Sequence, residues 1–296
     1  MQKKNYTPYL QRISESVLNL PTLPTIHARL LELVDHPRAT AQMLGALIRE
    51  DQSLTARLLK MCNSSYYGLQ SEVESVDRAI VLLGFETVRE MSLGISVINQ
   101  FDKVETHTSL DLMSFWEHSA YTAMAAKVIA ELHAPRVAKE AFLAGLLHDV
   151  GKLILIQYLE GEFGDILDEA AKGEHFLFEK EEEHLGTHHG EIGFWLARKW
   201  KFPDAIKTCI RFHHHQSKAT SHQELLAVVC LANLMAQELK LGFSGNSKSL
   251  KENEPLVEFL SQYFPLTEEG FFSRLGEELK REIENSDSLV RSLLNR

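Results

Sequence analysis

Cysteine is scarce in this 296-residue chain: Cys62, Cys209 and Cys230 lie far apart within apolar stretches. An odd count without pair spacing excludes a disulfide framework and predicts a reducing, cytoplasmic setting. Positive charge is also short. Thirty-one Lys and Arg face 41 Asp and Glu, the net charge is −10, and no basic cluster makes a local exception. Nucleic-acid binding needs a basic footprint, so that class is set aside. Long hydrophobic runs are missing as well. Those at 142–147 and 153–156 are interrupted by His148, Asp149 and Lys152, so no membrane span is expected. The first twenty residues carry no apolar core of the signal-peptide kind. Gly84 and Gly145 stand alone, so there is no glycine-rich phosphate loop. Ser64, Ser65 and the cysteines form no nucleophile and base pair. Period-two alternation is rare, which argues against sheets. Hydrophobic residues at 44% and charged residues at 24% are the proportions of a packed globular chain, which excludes disorder.

What is present is helical periodicity. After the stiff lead-in Leu20-Pro21-Thr22-Leu23-Pro24, the stripe Ile26, Leu30, Leu33, Val34 stops before Pro37. Thr40 caps a helix carrying Met43, Leu44, Leu47 and Ile48. Asp51 or Ser53 starts the next, which ends at Asn63-Ser64-Ser65 with Gly68 as a turn. Asn63 is expected to tie this lobe together through backbone bonds rather than to act on a substrate. Two more stripes follow, one closed by Gly84 and one through Val88, Met91, Ile95 and Ile98. The fold class is therefore all-α. A lobe of about five short helices spans 1–104, a larger helical bundle 105–243, and a helical tail 244–296. Thr108 and Asp111 read as a capping box for a long helix through Ala130. Further helices are expected at 139–147, 163–171, 190–200, 205–213, 223–239, 256–263 and along Phe272, Leu275, Leu279 and Ile283. That last stripe should be buried against the main body or a second copy.

Fourteen histidines are the feature that points to chemistry. His118, His148, Asp149, His189, His213 and His214 lie in or at the ends of apolar helices. Burying an imidazole and a carboxylate there is costly unless they are paired or bind a metal. A metal-free polar core, with His148 and Asp149 bonded to each other, is one way to satisfy them. Five imidazoles from four segments favour the other, because inward side chains on facing helices build metal sites. Clustered imidazoles must also stay neutral, since protonation would set like charges side by side. One or two transition-metal ions (Fe, Mn, Ni or Zn) suit this donor set better than Ca or Mg. His27, His36, His107, His133, His175, His184 and His222 read as surface or loop residues. His188 and His215 sit off the helical face beside the ligands, and the acidic run 179–183 reads as a solvated face.

The segment Leu146-Leu147-His148-Asp149-Val150-Gly151-Lys152 resembles the HD signature of metal-dependent phosphohydrolases. Leu20-Pro21-Thr22-Leu23-Pro24, Asn63-Ser64-Ser65-Tyr66-Tyr67-Gly68 and Ala79-Ile80-Val81-Leu82-Leu83-Gly84 narrow this. They resemble the HDOD domain, the HD-related output domain of bacterial signalling proteins, over about residues 17–240. The resemblance implies an HD-like helical bundle with an N-terminal helical lobe. It also implies a regulatory role through contacts with signalling proteins; self-association is a separate expectation, from the apolar stripe of the tail. HDOD domains usually lack the metal ligands of their HD relatives, and this chain departs from that habit. By similarity to the HD-GYP phosphodiesterases, which split cyclic di-GMP, His118, His148, Asp149, His189, His213 and His214 match ligand positions. Lys152 matches the lysine after the HD pair and is the one candidate catalytic residue. Two departures oppose catalysis. The last carboxylate ligand is replaced by Asn233 in Leu231-Ala232-Asn233, and Gln216-Ser217-Lys218 follows the histidines where a GYP loop would stand. The resemblance thus favours an output domain with a metal site and degenerate catalysis. The competing reading is a metal-dependent phosphohydrolase acting on a cyclic dinucleotide or a nucleotide.

Overall fold

The structure, a computed structural model, describes residues 12, 25–33, 38–102 and 104–294. The lead-in Leu20-Pro21-Thr22-Leu23-Pro24, the helix stop at Val34 and Pro37, His36 and the side chain of His27 lie outside the described residues. Among the described residues every element is helical: α1 Thr25–Glu32, α2 Ala41–Arg49, α3 Gln52–Cys62, α4 Val76–Leu83, α5 Phe85–Phe101, α6 Leu112–His133, α7 Ala138–Leu147, α8 Gly151–Ala170, α9 Leu177–Leu185, α10 His189–Lys199, α11 Asp204–Phe212, α12 Gln223–Glu238, α13 Glu254–Leu260 and α14 Phe271–Leu293. The all-α expectation holds.

Two compact units share the chain. One comprises Thr22–Lys103 together with Ser273–Arg296, and the other contains Val104–Phe272. The stretch after 244 is thus divided, with α13 in the second unit and α14 in the first from Ser273 on. Within the first unit, Thr40 accepts from the Met43 amide at 3.2 Å and Asp51 from the Leu54 amide at 3.0 Å. These caps satisfy donors that an α-helix leaves free at its start. Leu44, Ile48, Leu54, Leu58, Met61, Val88, Met91 and Ile95 fill its core.

In the second unit α6, α7 and α12 pack on one another. α12 is apolar on nearly every face, as befits a helix surrounded by others, and 225–236 is buried throughout. The capping of α6 differs from the Thr108 and Asp111 box. Asp111 itself is the cap, accepting from the Ser114 amide at 2.8 Å, while Thr108 accepts from the Leu110 amide at 3.3 Å. The helix starts one turn later than the box requires, so the hydroxyl serves the preceding loop. α8 is also longer than expected: it runs from Gly151 through a break at Leu159 to Ala170. Its first half is buried on all sides, which erases the periodicity that would mark a helix. The most apolar segment, within Pro135–Ala170, is buried in this unit. The apolar stripe of α14 is covered as well, with Leu275 and Leu279 buried.

Candidate metal centre

His148 and Asp149 occupy the three-residue turn joining α7 to α8, and both are fully buried. Glycine makes this turn possible. A Cβ at Gly151 would overlap the carbonyl oxygen of His189, and one at Gly193 would lie 2.7 Å from an Ile210 methyl. With hydrogen at both positions, the start of α8 rests against the start of α10, which carries His189 toward Asp149. His213 and His214 follow the last turn of α11, His118 projects from α6 and Asn233 from α12. All six residues singled out in the sequence come together. They form two groups that share Asp149: one with His189, His213 and His214, the other with His118 and His148.

The first group has the dimensions of a coordination cage. His189 Nε2 lies 3.2 Å from His213 Nε2 and 3.1 Å from His214 Nε2. Asp149 Oδ1 lies 3.1 Å from His189 Nε2 and 3.4 Å from His213 Nε2. Ligand bonds of about 2.0–2.1 Å place neighbouring donors about 3.0–3.4 Å apart in octahedral or tetrahedral geometry. The second ring nitrogens agree. His189 Nδ1 donates to Glu181 Oε2 at 2.6 Å, His213 Nδ1 to the Ile210 carbonyl at 2.9 Å and His148 Nδ1 to the Gly145 carbonyl at 2.7 Å. In the neutral rings this turns the Nε2 lone pairs inward, the arrangement that metal-ligating histidines use. The Nε2 atoms of His189 and His213 then face each other with no proton between them. Buried His148 Nε2 and Asp149 Oδ1 have no hydrogen-bond partner. A cation among them satisfies the inward-facing atoms of Asp149, His189, His213 and His214 at once, so these four residues fit a metal.

Titration behaviour follows from burial. It lowers His118 to about 3, with the neighbouring His148 adding to the shift, and His213 to about 4. Burial and the adjacent His213 hold His214 well below the usual imidazole range. His189 goes the other way: burial opposes its charge, but Glu181 and Asp149 outweigh that and raise it. A proton on His189 Nε2 answers the same electrostatic demand as an ion, although it can serve only one of the facing nitrogens. Asp149 is kept well below the carboxylate range; burial alone would raise it, and His148, Lys152 and His189 reverse the sign.

The second group is differently committed. His118 Nε2 donates to Asn233 Oδ1 at 2.9 Å, and Lys152 Nζ donates to Asp149 Oδ2 at 2.6 Å and to the Ser244 carbonyl at 2.9 Å. A third set, Glu182, His188 and His215, also gathers potential ligands. There, however, His188 Nδ1 accepts the Gly190 amide at 3.1 Å, which leaves its proton on Nε2 and no lone pair for a metal. His188 caps α10, burial lowers it to about 2, and His215 bonds Glu182.

Glu181 corrects the reading of 179–183 as a solvated face. It is fully buried and accepts both the backbone amide and Nδ1 of His189. His107, His133, His175 and His222 are exposed as expected, and His184 is half-buried on Glu169 at 3.2 Å. Above the centre lies a cavity of about 530 Å³ whose walls include His118, Lys152, His214, Asn233, Lys240 and Phe243.

The HDOD domain profile matches residues 20–216. An uncharacterized protein of Treponema pallidum (strain Nichols) is 24% identical over 227 residues, covering 75% of this chain and 43% of that protein. The chain thus spans less than half the length of this relative. A crystal structure of an HDOD domain protein with unknown function from Geobacter sulfurreducens superposes with a TM-score of 0.77 at 26% identity, covering 98% of both chains. A supposed phosphohydrolase of Shewanella amazonensis SB2B gives 0.73 at 26% identity, covering 97% of this chain and 98% of that one.

Proposed function

Because the chain belongs to the HDOD domain family, we propose that it is a signal-output module built around a metal centre, acting through protein partners and not through phosphodiester turnover. The observation that carries this reading is the bond between His118 and Asn233. A histidine at a ligand position donates its Nε2 proton to a neutral amide, so the last ligand position supplies no charge and its oxygen is engaged by that proton. Asp149, His189, His213 and His214 are the residues that would hold an ion. Glu181 fixes the ring of His189, and the carbonyls of Ile210 and Gly145 fix those of His213 and His148.

The hydrolase reading draws on a different observation: the donor groups open onto a cavity large enough for a nucleotide-sized ligand. A bound transition metal would supply Lewis-acid stabilisation of a phosphoryl oxygen. In that reading Lys152 and His214 would orient the phosphate at the cavity floor. Metal content of untagged protein, measured beside hydrolysis of cyclic di-GMP and bis(p-nitrophenyl) phosphate, separates the two. Bound metal with negligible turnover is expected, with Asn233→Asp gaining activity. Rapid turnover by the wild-type chain would install the hydrolase reading in its place.

A further inference from the structure

We infer that this centre takes a single metal ion, held by Asp149, His189, His213 and His214, and that the Lys152 ammonium stands in the place of a second ion on Asp149. The inference rests on the metal-centre reading above and fixes its stoichiometry and position.

The two oxygens of Asp149 face different surroundings. Oδ1 points to His189 and His213, whereas Oδ2 is taken by Lys152 Nζ at 2.6 Å and lies 3.3 Å from His148 Nε2. Lys152 is buried, and the Ser244 carbonyl fixes its ammonium from the other side at 2.9 Å. A divalent ion on Oδ2 would meet that buried ammonium at close range, where the repulsion is weakly screened. The second group also lacks donors. His118 has committed Nε2–H to Asn233, and His148 Nε2 is the unpartnered nitrogen beside Asp149. One imidazole and one occupied carboxylate oxygen fall short of the three protein ligands that even an open site requires. Charge points the same way. Buried Asp149 and Glu181 face one buried ammonium. Without an ion this set carries −1 and with one divalent ion +1, while a second would leave a strongly positive buried centre of +3.

The test counts ions per chain. Untagged protein is stripped, incubated with Mn(II), Fe(II), Ni(II) or Zn(II), desalted and analysed for metal, with Co(II) absorption titrated in parallel. Wild type is expected to take one equivalent and to saturate at one. His118→Ala should still take one. His214→Ala, a change at a half-buried ring, should bind at least tenfold more weakly. Lys152→Met combined with Asn233→Asp should take two. Two equivalents in wild type overturn the inference and leave the metal centre standing; none overturns both. An ion lost in His118→Ala but kept in His214→Ala overturns its placement, and a folded double variant that stays at one overturns the role of Lys152. If the double variant does not fold, the wild-type count and the two alanine variants decide.

Discussion

The side-chain amide of Asn63 bonds the backbone of Val73 in both directions: Nδ2 donates to its carbonyl at 3.0 Å, and its amide donates to Oδ1 at 2.7 Å. One asparagine thereby supplies both hydrogen bonds that a neighbouring strand would give. It closes a ten-residue loop between the end of α3 and the approach to α4. This is the tying role expected of Asn63 from its place after a helix. Asn63→Ala should cost about 1–3 kcal/mol, since two backbone groups lose their partners. Urea denaturation measures it, and an unchanged midpoint would contradict the role.

Gly151→Ala should be among the most damaging single changes in the second unit. The added methyl has no room against the His189 carbonyl, so α8 and α10 must separate. Overpacking typically costs about 1–3 kcal/mol, and a methyl set against backbone belongs at the upper end of that range. Metal retention should fall with stability, because Asp149 and His189 lie on opposite sides of that contact. Thermal melting and elemental analysis of the same sample check both effects.

Glu181→Gln preserves shape and keeps an oxygen for His189 Nδ1, but removes the charge. Outer partners of metal-bound imidazoles typically influence affinity by about 10–100-fold. A weakening of that order is expected, with little change in the circular dichroism spectrum. Competition against a metallochromic chelator reads it out, and unaltered affinity would show that Glu181 is only a structural partner.

Metal-free protein should lose stability as pH falls from about 6.5 toward 4. His118, His213, His214 and His188 have folded-state values lowered from 6.5, to about 3, about 4, well below the usual range and about 2 respectively, with burial the leading cause. For a lowered imidazole the unfolded chain binds the proton first. Its stability contribution is therefore intact above the unfolded value and drains away below it. Each such group contributes a slope of up to about 1.4 kcal/mol per pH unit within its window. His189 is raised and acts in the opposite sense, losing its contribution as pH rises, but it is one group against four. Melting temperature against pH, with and without metal, is the measurement. A flat profile between pH 6.5 and 4 would refute the assignment.

The helices and the ligand candidates were legible because their signals are local. Apolar spacing marks α2 to α5, Thr40 and Asp51 announce their helices, and an imidazole beside a carboxylate after a run of buried residues is costly wherever the chain leads. Glu181 was not legible, because four glutamates in 179–183 look alike until α9 is packed and one of them points inward. The first half of α8 was hidden for the opposite reason, since burial on every side removes the contrast that periodicity needs.

By composition and pattern, the sequence alone determined that this chain is all-α and that six metal-seeking side chains belong together. Which oxygen of Asp149 meets His189 and which meets Lys152 was decided only in three dimensions, as was the commitment of His118 to Asn233. Those contacts join residues up to 115 positions apart. Their geometry comes from the close approach of α8 and α10 at two glycines and from a carbonyl at Ser244, which no local preference specifies. Spacing along a chain names the donors, but the directions of lone pairs and protons depend on packing, and those directions decide where an ion can sit.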